Sequence, residues 1–505
     1  MIAQEFFATH LERPQGRGHT PDDAHTGAAG GAACGDLVRI SLALDESSPE
    51  GTIADAGFDA SGCGAALAAG SATVALVRGA SLLAAARVGV EEISAELGGL
   101  HPAKRHAAEL AADALHRALG AAARASAALA PPPDGAQRAL VAMSGGVDSA
   151  VAALLTARGG EEVVCVTLEL WADAENDGER SCCSAQAVRG ARALAHDRGL
   201  PHFSIDLREE FRAGVVEGWL EGYARGVTPN PCIRCNGSVR LDAMLELATR
   251  LGAGRLVTGH YARVHLEGTV DVEGAADAHA KGDAPVPLLR IAADRLKDQS
   301  YALAGLDPAS LARLSFPLGD LTKPEVREIA EREGLSVAHK PDSQDLCFLA
   351  GTSLPKFLAR HGAVAVAHGS IVDLEGTELG IHNGAHAFTV GQRHGLGLPG
   401  GPEPLFVLGT DPVANTVIVG PRASLMTSTV AVRDVTLRRQ GARVDGVRVR
   451  SHGPLFPCRL SGDPEPGRHA DVEVQLHDPI IRTAPGQIAC LYEGDVIVGH
   501  GTITA

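Results

Sequence analysis

The residues of greatest chemical potential fall into three groups. The first is Ser144-Gly145-Gly146-Val147-Asp148-Ser149, where the apolar run Ala139–Met143 breaks and a helix-like run begins. A glycine-rich turn between a parallel strand and a helix aims backbone N–H groups and the positive helix end at one spot, which suits a phosphate. Gly145 and Gly146 let the backbone come close, and Ser144 and Ser149 offer hydroxyls. Asp148 beside a phosphate implies Mg²⁺ between the two anions. No Gly-Lys-Ser/Thr follows, so this is not a Walker A loop. The second group is the pair Cys232-x-x-Cys235 with the distant Cys347. The third is Cys34-Gly35-Asp36, then Gly62-Cys63 leading into a helix, then His106 at a helix start, which is a metal-site spacing.

These groups need elements to position them. Ala139–Met143 reads as a buried strand, Ser149–Arg158 as a helix, Glu162–Leu168 as a strand and Ala185–Gly199 as a helix. Strand His202–Asp206, helix Asn236–Gly252 and strand Arg255–Gly259 follow. This βαβ rhythm predicts a parallel sheet with helices on both faces. Residues 266–288 are polar and glycine-rich, as expected of a surface loop. From about Gly369 short β-like runs with turn signals predict an all-β tail, a small barrel or sandwich. The stretch AAARASAALAPPPDGA, residues 121–136, has the composition of a semi-rigid linker.

The phosphate loop resembles the PP-loop of ATP pyrophosphatases. With TPNPCIRCN (Thr228–Asn236), TGHYAR (Thr258–Arg263), KDQSYAL (Lys297–Leu303), FPLGDLTKPEVREIA (Phe316–Ala330), KPDSQDLCF (Lys340–Phe348) and FTVGQRHGLGLPGG (Phe388–Gly401), it resembles the bacterial tRNA-specific 2-thiouridylases from about Arg138 onward. The resemblance implies ATP-dependent adenylation of the 2-carbonyl of the wobble uridine in tRNA, then displacement of AMP by sulfur. It implies that Ala142, Met143, Ser144, Gly145, Gly146, Val147, Asp148 and Ser149 hold ATP and Mg²⁺, with Leu168 and Gly259 on the adenine side. It assigns Asn230, Pro231 and Cys232 to the target base, Cys235 as nucleophile and Cys347 as the persulfide carrier. It assigns His260, Lys297, Asp298, Gln299, Arg450 and Gln487 to tRNA contacts. Some members carry Asp at the position of Cys232. Three thiols near one site admit two chemistries, a persulfide relay in which Cys235 closes a disulfide on Cys347, or a 4Fe–4S cluster with one open iron. The adjacent pair Cys182-Cys183 reads as structural or auxiliary.

Residues 1–130 lie outside that resemblance. They resemble the U-type iron–sulfur cluster scaffold, an α+β domain, whose ligands map to Cys34, Asp36 and Cys63, with His106 beside them. Its third cysteine should follow His106, where Ala107 stands. Zinc, a labile cluster or a degenerate docking domain all remain open. Fusion to a thiolation enzyme suggests a tethered module that raises effective concentration.

The expected architecture is therefore multidomain. A scaffold-like α+β domain spans 1–130 and a linker 131–137. An α/β PP-loop domain spans 138–360, a linking domain 361–428 and a C-terminal β-barrel that contacts tRNA 429–505. The chain of 505 residues carries a formal charge of −16, so tRNA must be met by local basic patches such as Arg438–Arg443 and Arg448–Arg450. The opening MIAQEFFATHLERP has no leader character, and no apolar run is long enough for a membrane span. The expected compartment is the cytoplasm, where the ten cysteines stay mostly reduced. The expected partners are tRNA and a sulfur donor such as a cysteine desulfurase or a relay protein.

Overall fold

The computed structural model describes residues 2–30, 35–132, 134–173, 184–266, 286–342, 346–349, 351–362, 367–399 and 403–504. Cys34, Cys182 and Cys183 therefore lie outside the described residues, as does most of the expected loop 266–288.

The first part of the chain forms β1 (His25–Gly30), β2 (Leu37–Leu44) and β3 (Ile53–Ser61), a three-stranded antiparallel sheet. Helices Gly64–Val77 and Arg105–Ala125 pack on it. Next come β4 (Arg138–Ala142), β5 (Glu162–Glu169), β6 (His202–Asp206), β7 (Arg255–Val257), β8 (Arg263–Leu266), β9 (Pro287–Arg290) and β10 (Leu314–Ser315). Five of them make an all-parallel sheet in the order β10-β7-β4-β5-β6. β4 and β5 are buried on both faces, as parallel strands must be, which explains their unbroken apolar runs. A mixed four-stranded sheet follows from β11 (Gly369–Val372), β12 (Glu378–His382), β13 (Leu405–Asp411) and β14 (Thr416–Pro421). The last sheet contains β15 (Met426–Leu437), β16 (Gly446–Arg448), β17 (Phe456–Leu460), β18 (Gly467–Ile481), β19 (Ile488–Glu493) and β20 (Val496–Ile503). Its order is β15-β18-β17-β16-β19-β20, and pairing of β15 with β20 closes the barrel. β9 continues this sheet beyond β20, and β8 pairs with β9. The flanks of the expected loop thus form a hairpin laid against the barrel, tied by Arg290 to Asp495 at 2.8 Å. No helix among the described residues is long and apolar enough to cross a membrane.

One face of the parallel sheet, with Ala139, Val141 and Cys165, is covered by helices Val147–Arg158 and Ala185–His196. The other face presents Leu140, Val164, Val166, Phe203 and Ile205 to the same core that holds Leu115, Ala118, Leu119 and Ala122 of helix Arg105–Ala125. Helix Leu241–Arg250 completes that layer. The first domain is therefore not a tethered module: its long helix is a layer of the thiolation fold. Small residues allow the close approach, and a Cβ on Gly120 would stand 2.0 Å from the Ser204 carbonyl oxygen. Charges weld the rim of the contact. Asp113 accepts from Arg189 and from Arg192, each at 2.7 Å, and Arg117 grips Glu169 through two hydrogen bonds at 2.8 and 2.7 Å. The segment after the long helix is anchored at two points, where Leu129 N–H donates to Arg250 O at 2.8 Å and Arg138 donates to Ala130 O at 3.0 Å, while Ala127, Ala128, Pro131 and Gln137 stay exposed.

Two predictions follow from this welded interface. Gly120→Val should lower stability by about 2 kcal/mol, read as a single thermal transition at lower Tm, because overpacking a tight contact forces the backbone apart. A second, separate transition for the first domain would contradict the shared core. His116, His196 and His202 cluster in the same interface with ring centroids 5.3 to 6.5 Å apart. Burial first, and for His116 then Arg192, holds His116 and His202 well below the ordinary 6.5. Protonation then disfavours the folded chain, so the stability these groups contribute is complete above about pH 6.5 and is lost as pH falls below it. Tm should be flat from about pH 7 to 8 and fall by about pH 5.5, before carboxylates titrate; a flat profile down to that pH would show the histidines carry no linkage.

Candidate active site

The PP-loop leaves the carboxyl end of β4 and feeds helix Val147–Arg158, with Gly146 as its N-cap. Gly145 takes φ +69°, and a side chain there would press within 2.9 Å of Ala187 O. Ser149 Oγ accepts from Ser144 N–H at 3.1 Å and donates to Gly146 O at 3.0 Å, closing the loop on itself. Ala142, Met143, Val147 and Ser149 are buried beneath it. Leu168 is buried near the end of β5. Gly259 packs against the start of the PP-loop helix, where a Cβ would lie 2.8 Å from Asp148 C and Ser149 N.

Asp148 is held by partners that motif spacing did not single out. Lys323 Nζ donates to its two oxygens at 2.7 and 2.8 Å, and Tyr261 Oη donates to Oδ1 at 2.8 Å. Lys323 also reaches Asp342 at 2.9 Å, as do Lys297 at 2.7 Å and Arg327 at 2.9 Å. Burial raises the Asp342 carboxyl, but hydrogen bonds from Lys297 and Lys323 outweigh it and hold it at about 2. Lys340 Nζ donates to Gly145 O at 2.8 Å. Four cations thus surround the phosphate-binding turn. Both lysines that touch it lie within quoted motifs, at Thr322-Lys323-Pro324 and Lys340-Pro341-Asp342.

The cysteine pair sits on a single helical turn, Pro231–Cys235. Pro231 fits the first turn, and Asn230 Oδ1 caps it by accepting from Cys232 N–H at 3.0 Å. Cys232 is half-buried and Cys235 buried. Burial raises the Cys232 thiol, opposed by Arg240. His260 accepts or donates at Thr258 Oγ1 at 2.8 Å, and burial with Arg240 nearby pushes it down to about 3, so it is neutral. Cys347 precedes Phe348, whose ring packs against Trp171, Phe211 and Trp219 at 6.4, 6.0 and 5.1 Å. Those rings follow the carboxyl ends of β5 and β6, so Cys347 and the PP-loop share one end of the sheet. Cys347 packs against the same core as Cys235.

The tRNA assignments divide. Arg450 is exposed at a turn of the barrel. Lys297 is half-exposed and bound to Asp342. Asp298 is buried, pairs with buried Arg448 at 2.7 Å and accepts from Ala292 N–H at 3.0 Å, so it fastens the central domain to the barrel. Gln299 accepts from Tyr261 N–H at 3.0 Å and fixes the turn behind Asp148. Gln487 donates to Thr228 O at 2.7 Å, which sets the segment before Asn230. The expected basic patches are mixed: Arg439 and Arg448 are buried, half-buried Arg438 donates to Leu306 O, and Arg443, which pairs with Glu493, and Arg450 are exposed.

In the first domain Asp36, Cys63 and His106 offer donor atoms that all lie within 4.8 Å of one another. Asp36 accepts from Cys63 N–H at 3.0 Å and from its thiol at 3.2 Å, and His106 Nε2 stands 3.3 Å from the same carboxylate. The Cys63 bonds hold the Asp36 carboxyl below its usual range. Gly62 makes room, since a Cβ there would meet Asp36 Oδ1 at 1.9 Å. Ala107 is fully buried and brings no donor. Among the described residues one thiol, one carboxylate and one imidazole offer a set that suits a divalent ion such as zinc, and the expected ligand Cys34 lies outside them.

Comparison with known proteins agrees with this division. Residues 3–127 match the NifU-like N terminal domain, and 137–351 the tRNA methyl transferase HUP domain. Residues 355–421 match the tRNA methyl transferase PRC-barrel domain and 436–503 the aminomethyltransferase beta-barrel domain. The chain is 41% identical over 504 residues to the bifunctional protein NifU/MnmA of Rubrobacter xylanophilus, covering 98% of this chain and 97% of that one. It is 42% identical over 350 residues to the tRNA-specific 2-thiouridylase MnmA of Thermobifida fusca, covering 68% of this chain and 89% of that one. Against the namesake of Roseiflexus castenholzii it is 39% identical over 349 residues, covering 68% and 93%. With its phosphate loop, its two-cysteine turn and a scaffold-like domain in front, the chain belongs to the tRNA-specific 2-thiouridylase family, in the bifunctional NifU/MnmA form.

Proposed function

We propose that the protein converts the wobble uridine of tRNA to 2-thiouridine. ATP adenylates the 2-carbonyl oxygen with loss of pyrophosphate, and sulfur then displaces AMP. The observation that carries this reading is the placement of the PP-loop and Cys347 at one end of the parallel sheet, within a chain of this family. The cytoplasm, where thiols stay reduced, is the compartment this chemistry suits.

Each residue has a task in this reading. Asp148, aimed by Tyr261 and Lys323, is the residue to hold Mg²⁺, which when bound would offset charge between carboxylate and phosphate. Lys323 and Lys340 neutralise the departing pyrophosphate, a role for fixed cations where charge develops. Asn230, Pro231 and Cys232 line the place for a uridine turned out of its stack. Arg450 is an exposed barrel cation available to tRNA phosphate.

Sulfur arrives as a persulfide on Cys347, supplied by a desulfurase or relay protein. Its outer sulfur attacks the adenylated carbon and expels AMP. The Cys235 thiolate then attacks Cys347 Sγ, which breaks the S–S bond, frees the thiolated base and leaves a Cys235–Cys347 disulfide. An external dithiol reduces that disulfide before the next turnover.

Lys323→Ala should slow tRNA-dependent pyrophosphate release about a hundredfold, the scale for removing one fixed charge from a developing anion. Cys347→Ser should still release pyrophosphate on adding tRNA but form no 2-thiouridine; loss of both steps together would assign Cys347 to adenylation instead. In the first domain, full-length chain should bind one zinc ion, and His106→Ala should weaken that binding by at least about tenfold in a competition titration. Unaltered affinity would remove His106 from the centre.

A further inference from the structure

The cysteine turn Pro231–Cys235 is held at both ends by the short helix Ser300–Leu303. In front of the turn, Asn230 Oδ1 accepts from Cys232 N–H at 3.0 Å, and the Asn230 amide reaches the hydroxyl of Tyr301. Behind it, buried Asn236 donates through Nδ2 to Ala302 O at 3.1 Å. A Cβ on Gly305 would stand 3.0 Å from Ile233 Cγ2, so the chain leaving the helix lies against the middle of the turn. The same helix is fastened to the barrel. Tyr301 Oη donates to Ile488 O of β19 at 2.8 Å. Asp298, just before the helix, pairs with Arg448 of β16 and accepts from Ser300 Oγ at 2.9 Å.

Tyr301 touches both sides. Its ring is fully buried, and its hydroxyl is the middle of a hydrogen-bond chain whose two ends cannot change role. A backbone carbonyl only accepts, so Tyr301 donates to Ile488 O. The Tyr301 oxygen is then left to accept, from the N–H side of the Asn230 amide. That sets which way round the amide lies and leaves Oδ1 toward Cys232 N–H, which only donates. Removing the hydroxyl frees the amide on one side and cuts the turn from the barrel at this point. The nucleotide side is served separately, by Gln299 and by Tyr261 on Asp148.

Resting on the proposed function, in which Asn230 meets the target base, we propose that Tyr301 is a positioning residue for thiolation, acting through Asn230 to hold the uridine-binding segment and the cysteine turn in register with the barrel. The hydroxyl takes no part in the chemistry. It transmits the position of β19 to the residue that caps Cys232.

The test compares the full chain with Tyr301→Phe, Asn230→Ala and the double variant in 2-thiouridine formation, on unmodified tRNA with ATP and a persulfide donor. Tyr301→Phe keeps the ring and should lower kcat about fivefold, the scale of one hydrogen bond, with the KM for ATP held within about twofold. Asn230→Ala should lose more, and adding Tyr301→Phe to it should cost nothing further, because the two residues act in series. An unchanged kcat in Tyr301→Phe would overturn the proposal. So would losses that multiply, since a hydroxyl with only a packing role damages both backgrounds alike. A second readout needs no turnover. Iodoacetamide should alkylate Cys235 about fivefold faster in Tyr301→Phe than in the unaltered chain, while Cys165, buried in β5, stays protected. Equal speeding of both thiols, or of neither, would also overturn it. An unaltered chain that forms no 2-thiouridine would overturn the proposed function instead, and the alkylation rates would still judge Tyr301.

Discussion

The structure depends on one buried contact, between helix Arg105–Ala125 and the face of the parallel sheet made by Val164, Val166, Phe203 and Ile205. An open α/β sheet needs helices on both faces. Here one of them is borrowed from the first domain, and the alanines and Gly120 of that helix let it lie close enough to exclude water. The ion pairs at the rim set the register of the contact more than its strength, because exposed pairs contribute little and buried ones lose much of their gain to desolvation.

The chemistry is arranged around a second constraint, the charge on Asp148. A carboxylate in a phosphate-binding turn is unfavourable unless cations offset it, and Lys323 does so here with Tyr261 donating from the side. Asp342 performs the matching task for Lys297, Lys323 and Arg327, keeping three cations ordered that would otherwise repel one another. The site is balanced before nucleotide arrives, so phosphate oxygens can take over contacts that carboxylates already make.

Much of this was legible in the residues. The βαβ rhythm gave four of the five parallel strands within a residue or two, since buried strands between amphipathic helices leave a strong pattern, but two residues were too few to show β10. The PP-loop, the two-cysteine turn and the Asp36–Cys63–His106 group were readable from spacing. Lys323 was not, because a lysine in an amphipathic helix looks like any solvated one until the fold turns it toward Asp148. The pairing of Arg439 with Glu493 and of Arg448 with Asp298 was not legible because those partners are remote in sequence. Of the Ala-rich and Pro-rich stretch 121–136, residues up to Ala125 close the long helix, which shares an alanine-rich composition with a linker.

The hydrogen bond from Gln487 to Thr228, with Thr228 N–H donating to Pro485 O at 2.8 Å, joins the last strands of the chain to the segment that opens the cysteine turn. Synthesis runs from the amino end, so the PP-loop and its cations are complete long before these residues leave the ribosome. The segment that leads into the cysteine turn is braced only once the barrel has closed behind it. A nascent chain can therefore close the PP-loop turn before the segment that leads into the cysteine turn has its support from the barrel.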